Sequence, residues 1–186
     1  MFLPRQIHLT LPPWVDEFVD DTRHYVTDEE RVGLAIALSR RNIEHGPGGP
    51  FGAAVFNAEG RVVSVGVNRV VPQTCSVAHA EMLAYMSAQQ RLASFRLNAD
   101  GGRYTLATSA QPCCQCYGAT VWAGVDELLI GARAEDVEEL TEFDEGPLPA
   151  DWIGELARRG IAVRRDILRN EARDVLASYG ARGAAY

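Results

Sequence analysis

The sequence predicts an α/β chain built on a layered, partly parallel sheet of five strands. Two observations carry this: an apolar strand pair joined by turn residues, and strands alternating with helices downstream of it. The 186 residues are 47% hydrophobic and 23% charged, which suits one globular domain over 1–186. Residues 1–26 read as an N-terminal extension of it and 166–186 as a C-terminal segment.

Thr27 opens "TDEE" with Glu30 three residues on, a capping box, and "RVGLAIALSRRNIEH" follows as an amphipathic helix stopped at Gly46. After the loop "GPGGP", the strands "FGAAVFN" and "RVVSVGV" are joined through "AEGR" as a hairpin. Helical signals return over 78–92. "RYTLATS" then reads as a strand, "CCQCYGATVWA" as a helix opened by Pro112, and "DELLIGA" as a fourth strand. The loop "FDEGPLPADW" leads to the helix "DWIGELARR", the strand "IAVRRDIL" and a last helix in "NEARDVLASY".

Composition narrows the function. A net charge of −7, with no basic cluster, sets the surface against a phosphate backbone, so the expected partner is a small molecule and not a nucleic acid. All 18 basic residues are arginine. The missing lysine excludes a Schiff base, a P-loop and a lysine general base. No run approaches the roughly 18 apolar residues of a membrane span, and no apolar stretch follows a basic start, so a soluble cytoplasmic protein is expected. Three of the four cysteines crowd into "CCQC", which suits a metal site better than a disulfide framework.

The chemistry concentrates in "SVAHAEMLA" and "AQPCCQCYGATVWAG". Cys113 and Cys116, spaced i and i+3 in the first turn of a helix, share a face and point at one ion, and His79 at the start of another helix supplies an imidazole. Two thiolates and one imidazole are a zinc set with one position open, the mark of a catalytic site, and that position would hold water. Both helix N-termini favour thiolates there. Glu81, two residues past His79, is then the base that takes a proton from the water and returns it to the substrate.

Histidine, any residue, glutamate, then Pro-Cys-x-x-Cys is a signature of zinc nucleobase deaminases. With "GPFGAAVF" upstream and "GVNRVV" between, the chain resembles the cytidine deaminase-like superfamily, and within it bacterial guanine deaminases, some of which also act on aminotriazines such as ammeline. The resemblance covers nearly the whole length and implies a three-layer α/β/α sandwich, bound zinc, a homodimer and the hydrolysis of guanine to xanthine and ammonia. It implies that Glu145, in "FDEGP", contacts the substrate and assists proton transfer. Asn68 would hydrogen-bond the heterocycle, Phe51 and Trp122 would wall the pocket, and Ala80 and Tyr186 would complete the substrate contacts. The C-terminal segment would close over an active site. Other amino-heterocycles (ammeline, a pterin, cytosine, a nucleoside) are the alternative substrates.

The chain departs from the family pattern at Gln111, where many relatives have glutamate, and at Cys114-Gln115, where an apolar pair is usual. Blander readings stand beside the sharper ones. A non-catalytic zinc-stabilised dimer would keep His79, Cys113 and Cys116 but has no use for Glu81. Cys75 reads as a core or pocket-wall residue and Cys114 as a small buried hydrophobe. His8, His24 and His45 have no partner at metal spacing and read as surface, and the acidic run 135–139 reads as a solvated helix face.

Overall fold

The computed structural model describes Leu3 and residues 5–183. Its centre is one mixed five-stranded sheet in the order β2-β1-β3-β4-β5. Strand β1 (Gly52–Asn57) lies antiparallel to β2 (Val62–Val67) and to β3 (Tyr104–Ala110), while β4 (Glu127–Ala132) and β5 (Ala162–Arg164) continue parallel to β3.

Apolar residues alternate along these strands between two cores, one on each face. Ala54, Phe56, Ala107 and Leu129 face α2 (Asp28–Glu44) and α7 (Arg169–Gly180), with α5 (Ala134–Leu140) beside them. Ala53, Val55, Leu106, Leu128 and Ile130 face α3 (Ala80–Leu92), α4 (Cys114–Ala123) and α6 (Trp152–Ala157). The three layers follow from this two-sided burial. Wholly buried side chains such as Phe56 and Leu38 each contribute about 1.5–3 kcal/mol relative to exposure.

The expected capping box is present: Thr27 accepts from the Glu30 backbone N–H and the Glu30 carboxylate accepts from that of Thr27. The short helix α1 (Trp14–Phe18) of the N-terminal segment buries Val15 in the α2-side core. Among the described residues, no helix is long and apolar enough to cross a membrane.

Three expectations need correction. "IAVRRDIL" forms a strand only over Ala162–Arg164, because Asp166 and Leu168 turn to positive φ (67° and 50°) as the Asp166 carboxylate swings to Arg133 at 2.7 Å. The acidic run on α5 is not all solvated. Asp136 is 1% exposed and accepts from Arg169 at 2.7 Å, from Arg173, and from the Arg133 backbone N–H at 2.8 Å. Pro112 lies outside α4: Cys113 is the N-cap and Cys114 the first helical residue, so the proline precedes the turn it was expected to open.

Candidate active site

The parallel strands β3 and β4 point their C-terminal ends at the site, the usual location of ligand sites in α/β sheets. Beyond Ala110 the chain runs through Gln111, whose N–H donates to Ala132 O at 2.9 Å, and reaches Cys113. From the other side, β2 leads into the 68–79 loop and α3. That helix lies directly on β2 because Gly66 has no side chain; a Cβ there would sit 1.9 Å from Ala80 O. Both His79 and Cys113 are N-caps with extended backbone (φ −72° and −63°), so the two side chains leave their helices at the first turn.

This brings His79, Cys113 and Cys116 together, their donor atoms all within 4.8 Å of one another. The His79 Nδ1 lies 3.5 Å from each sulfur. Two ligands of a tetrahedral zinc, with Zn–S near 2.3 Å and Zn–N near 2.05 Å, stand about 3.5 Å apart, so the spacing fits that ion without adjustment. The soft donor set fits it as well, and the two helix N-termini favour the thiolates that would hold it. Electrostatically the two thiols act as one acid. Cys113 is pulled down to about 4, first by the Cys116 thiol bonded to it and then by His79, while Cys116 is pushed up by Cys113 and by burial. Burial works against protonated His79, yet Cys113, Glu81 and Glu145 together hold it above its ordinary value.

Glu81, in the first turn of α3, is 6% exposed and accepts from the Cys116 thiol at 3.4 Å, while Thr108 of β3, whose hydroxyl donates to Ala110 O at 3.0 Å, stands 3.5 Å from its other oxygen. Burial, then the charge on Cys113, raises its pKa to about 7. A cation held by the three donors beside it would pull that value back down.

These residues open onto a cavity of about 450 Å³, lined also by Phe51, Asn68, Gln111, Cys114, Gln115 and the 142–146 loop. Glu145 is 7% exposed there and raised to about 8 by burial and by Cys113 and Glu81. Its backbone is pinned to α4, where the Cys114 N–H donates to Glu145 O at 2.9 Å and so satisfies one of the helix's unpaired first-turn donors. Gly146 reverses the chain at φ +67°, helped by the Asp144 side chain accepting from Gly146 N–H at 2.7 Å. Asn68, 1% exposed, accepts through Oδ1 from the N–H groups of Gly49 and Val70, both at 3.3 Å.

Of the expected site residues, His79, Glu81, Cys113, Glu145, Asn68 and Phe51 therefore meet at one cavity, with Cys116 buried behind His79 and Cys113 in the donor cluster. Trp122 does not: it is 76% exposed on α4, away from the lining, because that helix turns its other faces to the sheet. Ala80 is wholly buried in the core beneath α3 and contributes no lining surface. Tyr186 lies outside the described residues. The described part of the C-terminal segment is mostly α7, which packs on the α2 side and contributes nothing to the cavity lining. Cys114 is exposed at the cavity beside Gly146 and is not a buried hydrophobe, since the first residue of α4 lies at the helix end that meets the loop and not over the sheet. Cys75 is partly buried outside the lining, and His8, His24 and His45 are exposed.

Sequence reasoning missed Phe143, which lines the cavity and packs on Phe51 (centroids 5.4 Å) and Tyr179 (5.7 Å). Its presence in "FDEGP" was the available signal. Thr108 was missed too, and nothing but its place on the strand facing α3 could have indicated it.

The zinc-binding region of cytidine and deoxycytidylate deaminases matches residues 26–132, which contain all three donors. The fold is similar to that of guanine deaminase from Nitrosomonas europaea, 43% identical, with a TM-score of 0.91 over 97% of this chain and 100% of that one. It is similar as well to a chain solved with 2,6-diaminopurine, 43% identical with a TM-score of 0.89 over 96% of this chain and 95% of that one. Guanine deaminase of Bacillus subtilis (strain 168) is 32% identical over 111 residues, 60% of this chain and 67% of its own.

Proposed function

The chain belongs to the cytidine and deoxycytidylate deaminase family, and from that premise we propose that it hydrolyses guanine to xanthine and ammonia. The observation that carries the chemistry is Glu81, a buried carboxyl in contact with one of three donors spaced for zinc. When bound, zinc supplies Lewis acidity that makes water a nucleophile near neutral pH. Glu81 takes the proton as water attacks C2 of the ring and delivers it to N3. The tetrahedral carbon then collapses: Glu81 takes the proton of the new C2 hydroxyl and passes it to the exocyclic amine, the C2–N bond breaks to release ammonia, and a C2 oxo group remains. Its place in the first turn of α3 holds the Glu81 carboxylate beside the three donors for both transfers.

Guanine is supported by the residues that face Glu81 across the cavity. Glu145, ionised, accepts from the N1–H and amino hydrogens of the substrate edge. The Asn68 amide supplies a donor, and Phe51 with Phe143 form an aromatic wall for a flat ring. The enzyme is read as a cytoplasmic homodimer, with thiols kept reduced and the exposed Trp122 and Met86 supplying apolar contact surface.

Ammonia release across guanine, adenine, cytosine, nucleosides and aminotriazines tests this directly. Guanine should give the highest kcat/KM; a nucleoside turned over while guanine stays inert would overturn the substrate assignment.

A further inference from the structure

We propose that Asn42 is a positioning residue for the wall that receives the heterocycle, its side-chain amide holding the 48–51 loop and Asn68 in one register. The inference rests on the deaminase reading above, and it gives the loop "GPGGP" a task that zinc binding and proton transfer do not.

Ser39 and Asn42 are a buried polar pair, three residues apart inside α2 and away from its caps. Their partners lie on the connection between α2 and β1, where Gly48, Gly49 and Pro50 are buried without belonging to a helix or strand. Backbone buried in that way has to find hydrogen-bond partners outside a regular ladder. Ser39 Oγ donates to Pro50 O at 2.6 Å. The Asn42 amide nitrogen carries two hydrogens, and it donates to Gly49 O and to Asn68 O, both at 2.9 Å.

The two carbonyls belong to segments that meet at the cavity and are bonded to each other as well. Gly49 N–H donates to Asn68 Oδ1 at 3.3 Å, and Asn68 N–H donates to Phe51 O at 3.1 Å. Asn42 closes this ring of bonds from the helix side. Phe51 and Asn68 line the cavity and Asn42 does not, so Asn42 acts on a ligand through them. Gly48 belongs to the same device: a Cβ there would overlap the Asn42 amide, and the three atoms nearest to it all belong to that side chain. Without the amide, the loop and Asn68 lose a shared anchor on α2. A binding wall misplaced by a fraction of an ångström holds its ring less well.

The test measures zinc content, KM and kcat for guanine, and the Kd of xanthine, which has no exocyclic amine to lose. In Asn42→Ala, zinc should stay stoichiometric and kcat should change little, because His79, Glu81, Cys113 and Cys116 stand at the ends of α3 and α4, across the sheet from α2. KM and the xanthine Kd should each rise about 10-fold, the size of a hydrogen bond. Gly48→Ala keeps Asn42 but pushes its amide aside, so it should raise the same two constants. Added to Asn42→Ala it should cost nothing more, since the space is then empty. Ile43→Val, which loosens the core packing of the same helix and removes no bond to the loop, should move neither constant. Unchanged xanthine affinity in Asn42→Ala, losses that multiply in the double variant, or an equal rise in Ile43→Val would overturn the inference. If Asn42→Ala does not fold, Gly48→Ala decides alone, and unchanged affinity there overturns it. A wild-type enzyme inert toward guanine would instead sink the substrate reading, and the same comparison on whichever heterocycle is turned over would then decide this inference by itself.

Discussion

The two halves of the cavity are built by different means. His79, Glu81, Cys113 and Cys116 sit at the first turns of α3 and α4, on backbone fixed by the sheet beneath, where Gly66 lets helix and strand touch. Phe143 and Glu145 sit on a loop between α5 and α6, tied to α4 by the bond from Cys114 N–H to Glu145 O. Helix ends hold groups to within the fraction of an ångström that metal ligation and proton transfer need. A loop varies without disturbing the sheet, which suits the part that reads a substrate. The division assigns chemistry to the first region and choice of substrate to the second.

The largest effect should come from Glu81→Gln. The amide keeps the shape and cannot shuttle a proton, so kcat should fall by about 10³-fold or more on every substrate alike, with zinc still bound. Normal turnover by this variant would remove the proton shuttle from the helix-end region and break the comparison at its centre.

The same division explains what could be read in the sequence. Zinc chemistry restricts each ligand to a few residue types, and a helix N-terminus fixes their spacing, so "HAE" and "PCCQC" were legible as one site. Even there, Cys113 was expected within the first turn and is instead the N-cap of α4, which the residue types alone could not show. The mixed sheet was legible from the hairpin and the alternation that follows it. The loop half was not. Nothing in the periodicity of "VWAG" says that Trp122 is exposed on α4 while Phe143 lines the cavity, because that depends on how the loop after α5 returns across α4. Cys114 and Gln115 gave no apolar pattern, and their places follow from the same return. Asp136 looked like surface because its arginine partners come from α7, more than thirty residues away.

Glu145→Gln sharpens the comparison. If the loop selects the substrate, kcat/KM for guanine should fall about 10²-fold, near 2.7 kcal/mol, while a poor substrate that does not use the carboxylate loses much less. Kinetics on guanine and on an aminotriazine or pyrimidine would reveal this change in ranking. Equal losses on all substrates would assign Glu145 to the chemistry and merge the two regions.

Asp136→Asn probes the footing of the loop without touching the cavity. Asp136 holds α5 to α7, and Arg169 beside it, then the Arg133 N–H and Arg173, keep its carboxyl well below the ordinary carboxylate range. A depressed folded-state pKa gives stability that is present above the unfolded value, near pH 3.9, and is lost as pH falls through the folded one. The variant should lose about 2 kcal/mol at neutral pH, less than a fully buried pair, since side chains of Arg169 and Arg173 are 33% and 28% exposed. Denaturant unfolding at pH 7 and pH 3 should find the difference reduced at the lower pH. A gap that does not shrink would mean packing, and not charge, holds α5 in place.

The smallest effect isolates the tie itself. Gly146 has φ +67°, and a Cβ on it would stand 2.6 Å from the Cys114 Sγ. Gly146→Ala therefore meets two penalties of different kinds: left-handed backbone, costing about 1 kcal/mol for alanine, and a contact that Cys114 relieves by rotating. Because the bond from Cys114 N–H to Glu145 O is made by backbone one residue away, the loop should shift slightly outward and KM for guanine should rise a few-fold. Zinc content and kcat should hold, because the helix ends do not move. Adding Cys114→Ala removes the contact and leaves the backbone cost, so the double variant should recover KM in part while unfolding as easily as the single one. Full recovery of both would mean the glycine is needed only for room, and loss of kcat in either variant would show that the loop and the helix ends move as one body.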